Sequence, residues 1–179
     1  MSNKVVKLKI KYLFLNILEM KNIIYLLLIS FYYYKSYTIL KGLPVLFLYL
    51  YTNNIAFLYA AAGDTILETN FLAGVILFIL ATKNLSPDIN PFDIVLSPWL
   101  SVVLALNPLI FHFFNPYEYA AINIYLLMLI NLVSCKTLQS YIFILSDVFV
   151  LCQHVFDEPR FSYFSLPLYW TSMLLYSRF

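Results

Sequence analysis

Tyr141-Ile142-Phe143-Ile144-Leu145-Ser146-Asp147-Val148-Phe149-Val150-Leu151-Cys152 is an apolar run broken by one hydroxyl and one carboxylate. Extended to 138–153, it is one of eight apolar stretches set apart by short polar or proline-containing breaks. The others are 22–34, 43–52, 55–67, 70–82, 92–106, 118–134 and 162–177. Several are shorter than the roughly 20 residues that a membrane crossing needs, so their ends extend into the flanks. The expected fold class is all-α, a polytopic transmembrane helical bundle of about eight spans, with seven as the alternative count. It forms a single domain over 22–179, preceded by a basic cytosolic flank over 1–21. Pro87 to Pro98, with Pro91 between, reads as a loop entering the fifth span, which Asn107-Pro108 kinks or ends.

Composition supports this reading. Of 179 residues, 63% are hydrophobic and only 11% charged, where ordinary globular domains are about 25% charged. Mean hydropathy is +0.82. So few polar residues cannot cover a surface facing water on all sides, and spans of this number leave no length for a soluble catalytic domain. The sixteen tyrosines and sixteen phenylalanines suit interfacial belts and lipid-facing packing without any ligand. Cys135 and Cys152 have no metal-type or redox-type cysteine neighbour and read as buried free thiols.

Basic residues orient the chain. Lys4, Lys7, Lys9, Lys11, Lys21, Lys83, Lys136 and Arg178 fall on one side, and Lys35, Lys41 and Arg160 on the other with Glu118, Asp157 and Glu158. Both termini are therefore expected in the cytosol. The lysines before the first apolar stretch resemble a signal peptide, but no small-residue cleavage site follows and Phe31 to Tyr34 is bulky, so a retained flank is expected.

An ionisable group deep in a span is costly and points to function. Asp64 follows Ala60-Ala61-Ala62-Gly63, small residues that let helices approach closely. Asp64 and Asp147 each lie nine residues beyond the start of their spans, 55–67 and 138–153. At about 1.5 Å per residue that is roughly 14 Å, midway through a core of about 30 Å. The two spans run in the same direction, so the carboxylates arrive at similar depth and can share one cavity. Structural hydrogen bonding between helices is the alternative role. Glu68 shares the helical face of Asp64 but adjoins Thr69-Asn70 and reads as interfacial. His112 and His154 have no partner at ligand spacing, so no metal is expected. Gly-x-Ser-x-Gly is absent, and Gly42, Gly63 and Gly74 alone cannot build a phosphate loop.

These motifs resemble the YhhN-like lysoplasmalogenase family, eight-span membrane proteins that hydrolyse the vinyl ether bond of lysoplasmalogens. Lys41-Gly42-Leu43-Pro44 is similar to the Lys-Pro-Leu opening of the family's second span, and Ala62-Gly63-Asp64-Thr65-Ile66-Leu67 to its Gly-Asp motif. Phe71, Gly74 and Phe78 fall on its spaced Phe, Gly and Phe. Phe143 to Asp147, followed by Phe156, resembles its Ser-Asp block, and Tyr169 its last-span tyrosine. Thr82 stands where the family has histidine and Met173 where glutamine is usual. The resemblance implies Asp64 and Asp147 as catalytic residues, with Gly63, Ser146, Phe78, Thr82, Phe156 and Tyr169 binding substrate or supporting the site. It implies a lysophospholipid substrate in a membrane-lipid setting, with no cofactor and no nucleic-acid partner.

Vinyl ethers are stable to base, and their hydrolysis begins when an acid protonates the β-carbon. Burial disfavours a charged carboxyl, and two carboxyls sharing a site resist ionising together. One aspartate can thus hold a proton while the other stays ionised and activates water, a division that glycosidases also use. A fatty aldehyde and a glycerophospho-head group result. Two competing expectations stand beside the hydrolase: a degenerate relative that binds or scaffolds lipid, motivated by Thr82 and Met173, and a small-solute or proton-coupled transporter. The short spans suit a thin bilayer, that of the endoplasmic reticulum in a eukaryotic source.

Overall fold

A computed structural model describes residues 3–35, 38–85, 97–134, 137–156 and 158–178. It is all-helical, with no strand among the described residues. In chain order the helices are α1 (Asn3–Lys35), the short α2 (Thr38–Lys41), α3 (Leu43–Thr52), α4 (Ile55–Ile66), α5 (Phe71–Leu85), α6 (Pro98–Phe113), α7 (Pro116–Ser134), α8 (Leu138–Phe156) and α9 (Ser162–Tyr176). A 3₁₀ turn, Pro159–Phe161, precedes α9.

Asparagines punctuate the chain. Asn53 ends α3 in the left-handed region at φ 55°, donating its N–H to the Tyr49 carbonyl at 2.7 Å, a conformation asparagine adopts more readily than most residues. Asn54 then caps α4, its Oδ1 accepting from Ala56 N–H at 3.0 Å. Asn115 caps α7 by accepting from Tyr117 and Glu118 N–H, while the Glu118 carboxylate accepts from Asn115 N–H. That reciprocal pair is a capping box, and Pro116 at the first helical position needs no donor. At the 3₁₀ turn, Glu158 accepts from Arg160 N–H, and the exposed Arg160 guanidinium pairs with it at 2.6 Å. These hydrogen bonds hold the Glu158 carboxyl below the usual glutamate range.

Helices joined by short connections pack as antiparallel neighbours, α4 against α5 and α8 against α9 most extensively, and α5 also lies on α7. The core gathers Tyr25, Leu48, Phe57, Phe143, Trp170 and Met173, each at most 1% exposed. Much large apolar surface faces outward instead, including Leu50 at 73%, Phe111 at 66% and Leu27 at 63%.

Most helices fall on the stretches read from the sequence, but three details differ. First, α1 is unbroken from Asn3 to Lys35, so the expected boundary between a flank over 1–21 and the helical domain lies inside a helix. Lys21 marks that position: it is 2% exposed, its Nζ donates to Ser177 Oγ at 3.0 Å and lies 4.9 Å from the centre of the Tyr51 ring. Second, of the two alternatives for Asn107-Pro108, an end to the helix is not seen: Pro108 lies inside α6, which continues to Phe113. Third, among the described residues one segment, Pro116–Val133, is both long and apolar enough to cross a membrane; Leu43–Thr52, Ile55–Ile66, Phe71–Leu85 and Leu138–Gln153 are apolar but shorter. The expected loop from Pro87 to Pro98 lies mostly outside the described residues.

Candidate functional site

Both aspartates line a single cavity of about 850 Å³ between α4, α5, α7, α8 and α9, within the usual range of ligand pockets. Asp147 is the middle residue of the nineteen in α8. Asp64 sits in the last turn of α4, which has only 12 residues, so the expected mid-helix placement holds for Asp147 and not for Asp64. The two helices nevertheless bring the carboxyls to one chamber, because each begins nine residues before its aspartate at the same end of the bundle.

Asp147 is half-buried and held by a group that sequence reasoning missed. The Tyr125 hydroxyl, from α7, donates to Asp147 Oδ2 at 2.8 Å. The Tyr125 ring packs 6.2 Å from that of Phe78, which in turn meets Tyr169 edge-on at 6.1 Å. Thr82, fully buried, lies beside the Tyr125 hydroxyl and donates its own proton to the Phe78 carbonyl at 2.8 Å. Ser146 lines the cavity and donates to the Phe143 carbonyl at 2.7 Å.

Asp64 has a different setting. It is 3% exposed, and its Oδ2 makes no hydrogen bond among the described residues. The Tyr169 hydroxyl lies close to the carboxyl but closes no hydrogen bond among the described residues. Polar atoms buried without a partner are uncommon and call for an explanation.

All three glycines grip the Asp64 helix. A Cβ on Gly42 would lie 2.4 Å from the Ala61 carbonyl oxygen, and one on Gly74 would lie 2.6 Å from Leu67 Cα, just past the end of α4. Only glycine permits backbone approach this close. Gly63, on α4 itself, leaves its face to the Phe78 ring, whose nearest atom would be 3.1 Å from an added Cβ.

At one end the cavity is edged by Lys41, Glu68 and Glu118. Lys41 Nζ pairs with Glu68 at 3.3 Å, the lysine side chain 14% exposed and the glutamate 49%. Glu68 and Lys41 thus form part of a polar rim of the cavity.

Phe156 is not brought to the site: it is 66% exposed, lies outside the cavity lining and packs against Phe161. Met173 is fully buried in the core, also away from the lining. His112 is exposed beside Phe113, and the His154 side chain lies outside the described residues, as does Cys135; Cys152 is a half-buried free thiol. Among the described residues no three or more His, Cys, Asp or Glu converge on a potential metal position. Two carboxyls, one hydrogen-bonded and one not, in a chamber walled largely by apolar side chains are suited to moving a proton on and off a ligand that is itself mostly apolar.

Tyr125 gave no motif because it stands in an apolar run in a chain with sixteen tyrosines. Its one signal is positional: Tyr125 and Asp147 lie equally far from position 136, between α7 and α8, where an antiparallel hairpin places residues opposite each other. Compared with family models, curated proteins and solved structures, the chain matches none.

Proposed function

We propose that this chain is a polytopic integral membrane protein, of the endoplasmic reticulum in a eukaryotic source, that hydrolyses the vinyl ether bond of a lysoplasmalogen. The observation that carries the proposal is the presence of Asp64 and Asp147 on the walls of one cavity. The membrane assignment is supported by the composition, the outward-facing leucines and phenylalanines and the order of apolar helices. An exposed apolar surface this extensive is unusual for a soluble monomer, whereas lipid would cover it. Burying two acids within such a protein is costly unless they are used.

Acid-catalysed vinyl ether cleavage suits the pair. One carboxyl protonates the β-carbon, giving an oxocarbenium ion; the other, ionised, stabilises the cation and takes a proton from the attacking water. The resulting hemiacetal collapses to a fatty aldehyde and a glycerophospho-head group. The apolar walls accept the alkenyl chain, and the polar rim of Lys41, Glu68 and Glu118 accepts the head group. Because the residue at 173, usually glutamine in the family that the motifs resemble, is here a buried methionine in the apolar core, lipid binding without turnover is the second reading.

The deciding experiment incubates detergent-purified protein with a lysoplasmalogen and measures aldehyde. Release above a matched empty-membrane control is expected. Lipid retained without aldehyde would replace the hydrolase with the binding protein.

A further inference from the structure

We propose that Tyr125 is a positioning residue that commits Asp147 to accepting a proton, and that Asp64 is the carboxyl that delivers one. The inference rests on the hydrolase reading for its chemistry, but the assignment of the two acids comes from their hydrogen bonds.

A phenol hydroxyl has one proton. In this cavity that proton goes to Asp147 Oδ2 at 2.8 Å. Asp147 thus has a hydroxyl donor at hydrogen-bond distance, which favours the ionised carboxylate. Asp64 is less well served: its Oδ2 is buried and without a hydrogen-bond partner among the described residues, and the nearby Tyr169 hydroxyl does not close that bond. Lys41, a cation near Asp64, is paired with Glu68 at 3.3 Å. An ionised Oδ2 would lack a hydrogen-bond donor, whereas a protonated carboxyl can hold its proton on the other oxygen, toward the cavity that Asp64 lines.

The cycle balances on this assignment. Asp64 transfers its proton to the β-carbon as the C=C electron pair forms the new C–H bond. Water adds to the oxocarbenium carbon and gives a proton to Asp147. In the collapse of the hemiacetal, Asp147 returns that proton to the departing glycerol oxygen, the C–O bond breaks, and Asp64 takes the hemiacetal hydroxyl proton. The products are an aldehyde and an alcohol, and both aspartates regain their starting states.

Infrared spectra of the purified protein in H₂O and D₂O test the assignment without substrate, since a protonated carboxyl has a carbonyl stretch sensitive to deuteration. The wild type should show such a band, Asp64→Asn should remove it and Asp147→Asn should keep it. Tyr125→Phe should add a second band that disappears when Asp147→Asn is combined with it. In the aldehyde assay Tyr125→Phe should lower kcat by about tenfold or more, the loss of one hydrogen bond to a charged group, with KM unchanged. Absence of the band from the wild type, its loss in Asp147→Asn instead of Asp64→Asn, or unaltered kcat in Tyr125→Phe would overturn the proposal. Should Tyr125→Phe not fold, the two asparagine variants decide alone. A wild type with the Asp64 band but no aldehyde release would refute the hydrolase and leave the proton assignment standing.

Discussion

The two ends of the bundle differ in which buried polar groups find partners. At the end where α3 and α9 finish and α8 begins, Lys21 is bonded to Ser177, Ser140 to Tyr176, and Ser172 to the Gln139 carbonyl at 3.0 Å. Around the cavity, Asp64 Oδ2 and Tyr169 Oη go without hydrogen-bond partners among the described residues. Asn22 Oδ1 and Trp170 Nε1 are likewise unpartnered, but neither residue lines the cavity. An unsatisfied buried group costs about 1–3 kcal/mol, and at the cavity, unlike at Asn22, a ligand could supply the missing contact.

Replacing the acids should break this contrast most severely. Asp64→Asn and Asp147→Asn keep shape while removing charge and proton, and each should lower aldehyde release by about 10²–10⁴. The double variant should be scarcely worse than either single one, because groups acting as a unit are strongly non-additive. Turnover near wild type in a folded single variant would remove that residue from the mechanism.

Gly42→Ala comes next. The added methyl meets the Ala61 carbonyl oxygen, and overpacking of this kind typically costs about 1–3 kcal/mol. Thermal unfolding in detergent should show a lowered midpoint, and an unchanged midpoint would mean that α2 and α4 separate easily.

Lys21→Ala tests the opposite end. It removes a buried lysine and its bond to Ser177, for an expected loss of about 1–2 kcal/mol, with aldehyde release per folded molecule unchanged. A large fall in kcat would show that the two ends are coupled.

The smallest effect is expected at the exposed pair of Glu158 and Arg160. Because Arg160 holds the Glu158 carboxyl below its ordinary range, any stabilisation is fully present above the unfolded glutamate value, about 4.3, and is lost as pH falls through the lowered one. Arg160→Ala should therefore flatten the midpoint-versus-pH curve slightly in that acidic window and leave it unchanged near neutrality.

Apolar stretches and their breaks were legible in the sequence because helices here begin and end at Asn, Pro and Gly, as at Asn53-Asn54 and Asn115-Pro116. The meeting of Asp64 and Asp147 was also legible, since equal distances from two helix starts translate into equal height. Phe156 was misplaced because a position next to a motif says nothing about which way a side chain near the end of α8 faces. Tyr125 was missed for the reverse reason: it owes its place to the pairing of α7 with α8 and not to any local pattern. The unbroken α1 was hidden because lysines within an apolar sequence read as a boundary, whereas helical backbone continues through them.

The convergence of every glycine on one helix bears on how the molecule can move. With α2 and α5 both in backbone-close contact, the α4 region has no slack in which to shift, and it carries Asp64 as a fixed post. On the proposed reading, a long alkenyl chain would be admitted across the chamber, where α7 and α8 touch more sparingly than α4 and α5 do and where the bond from Tyr125 to Asp147 spans the seam. Opening that seam would part the tyrosine from its aspartate, and closing it would restore the pair.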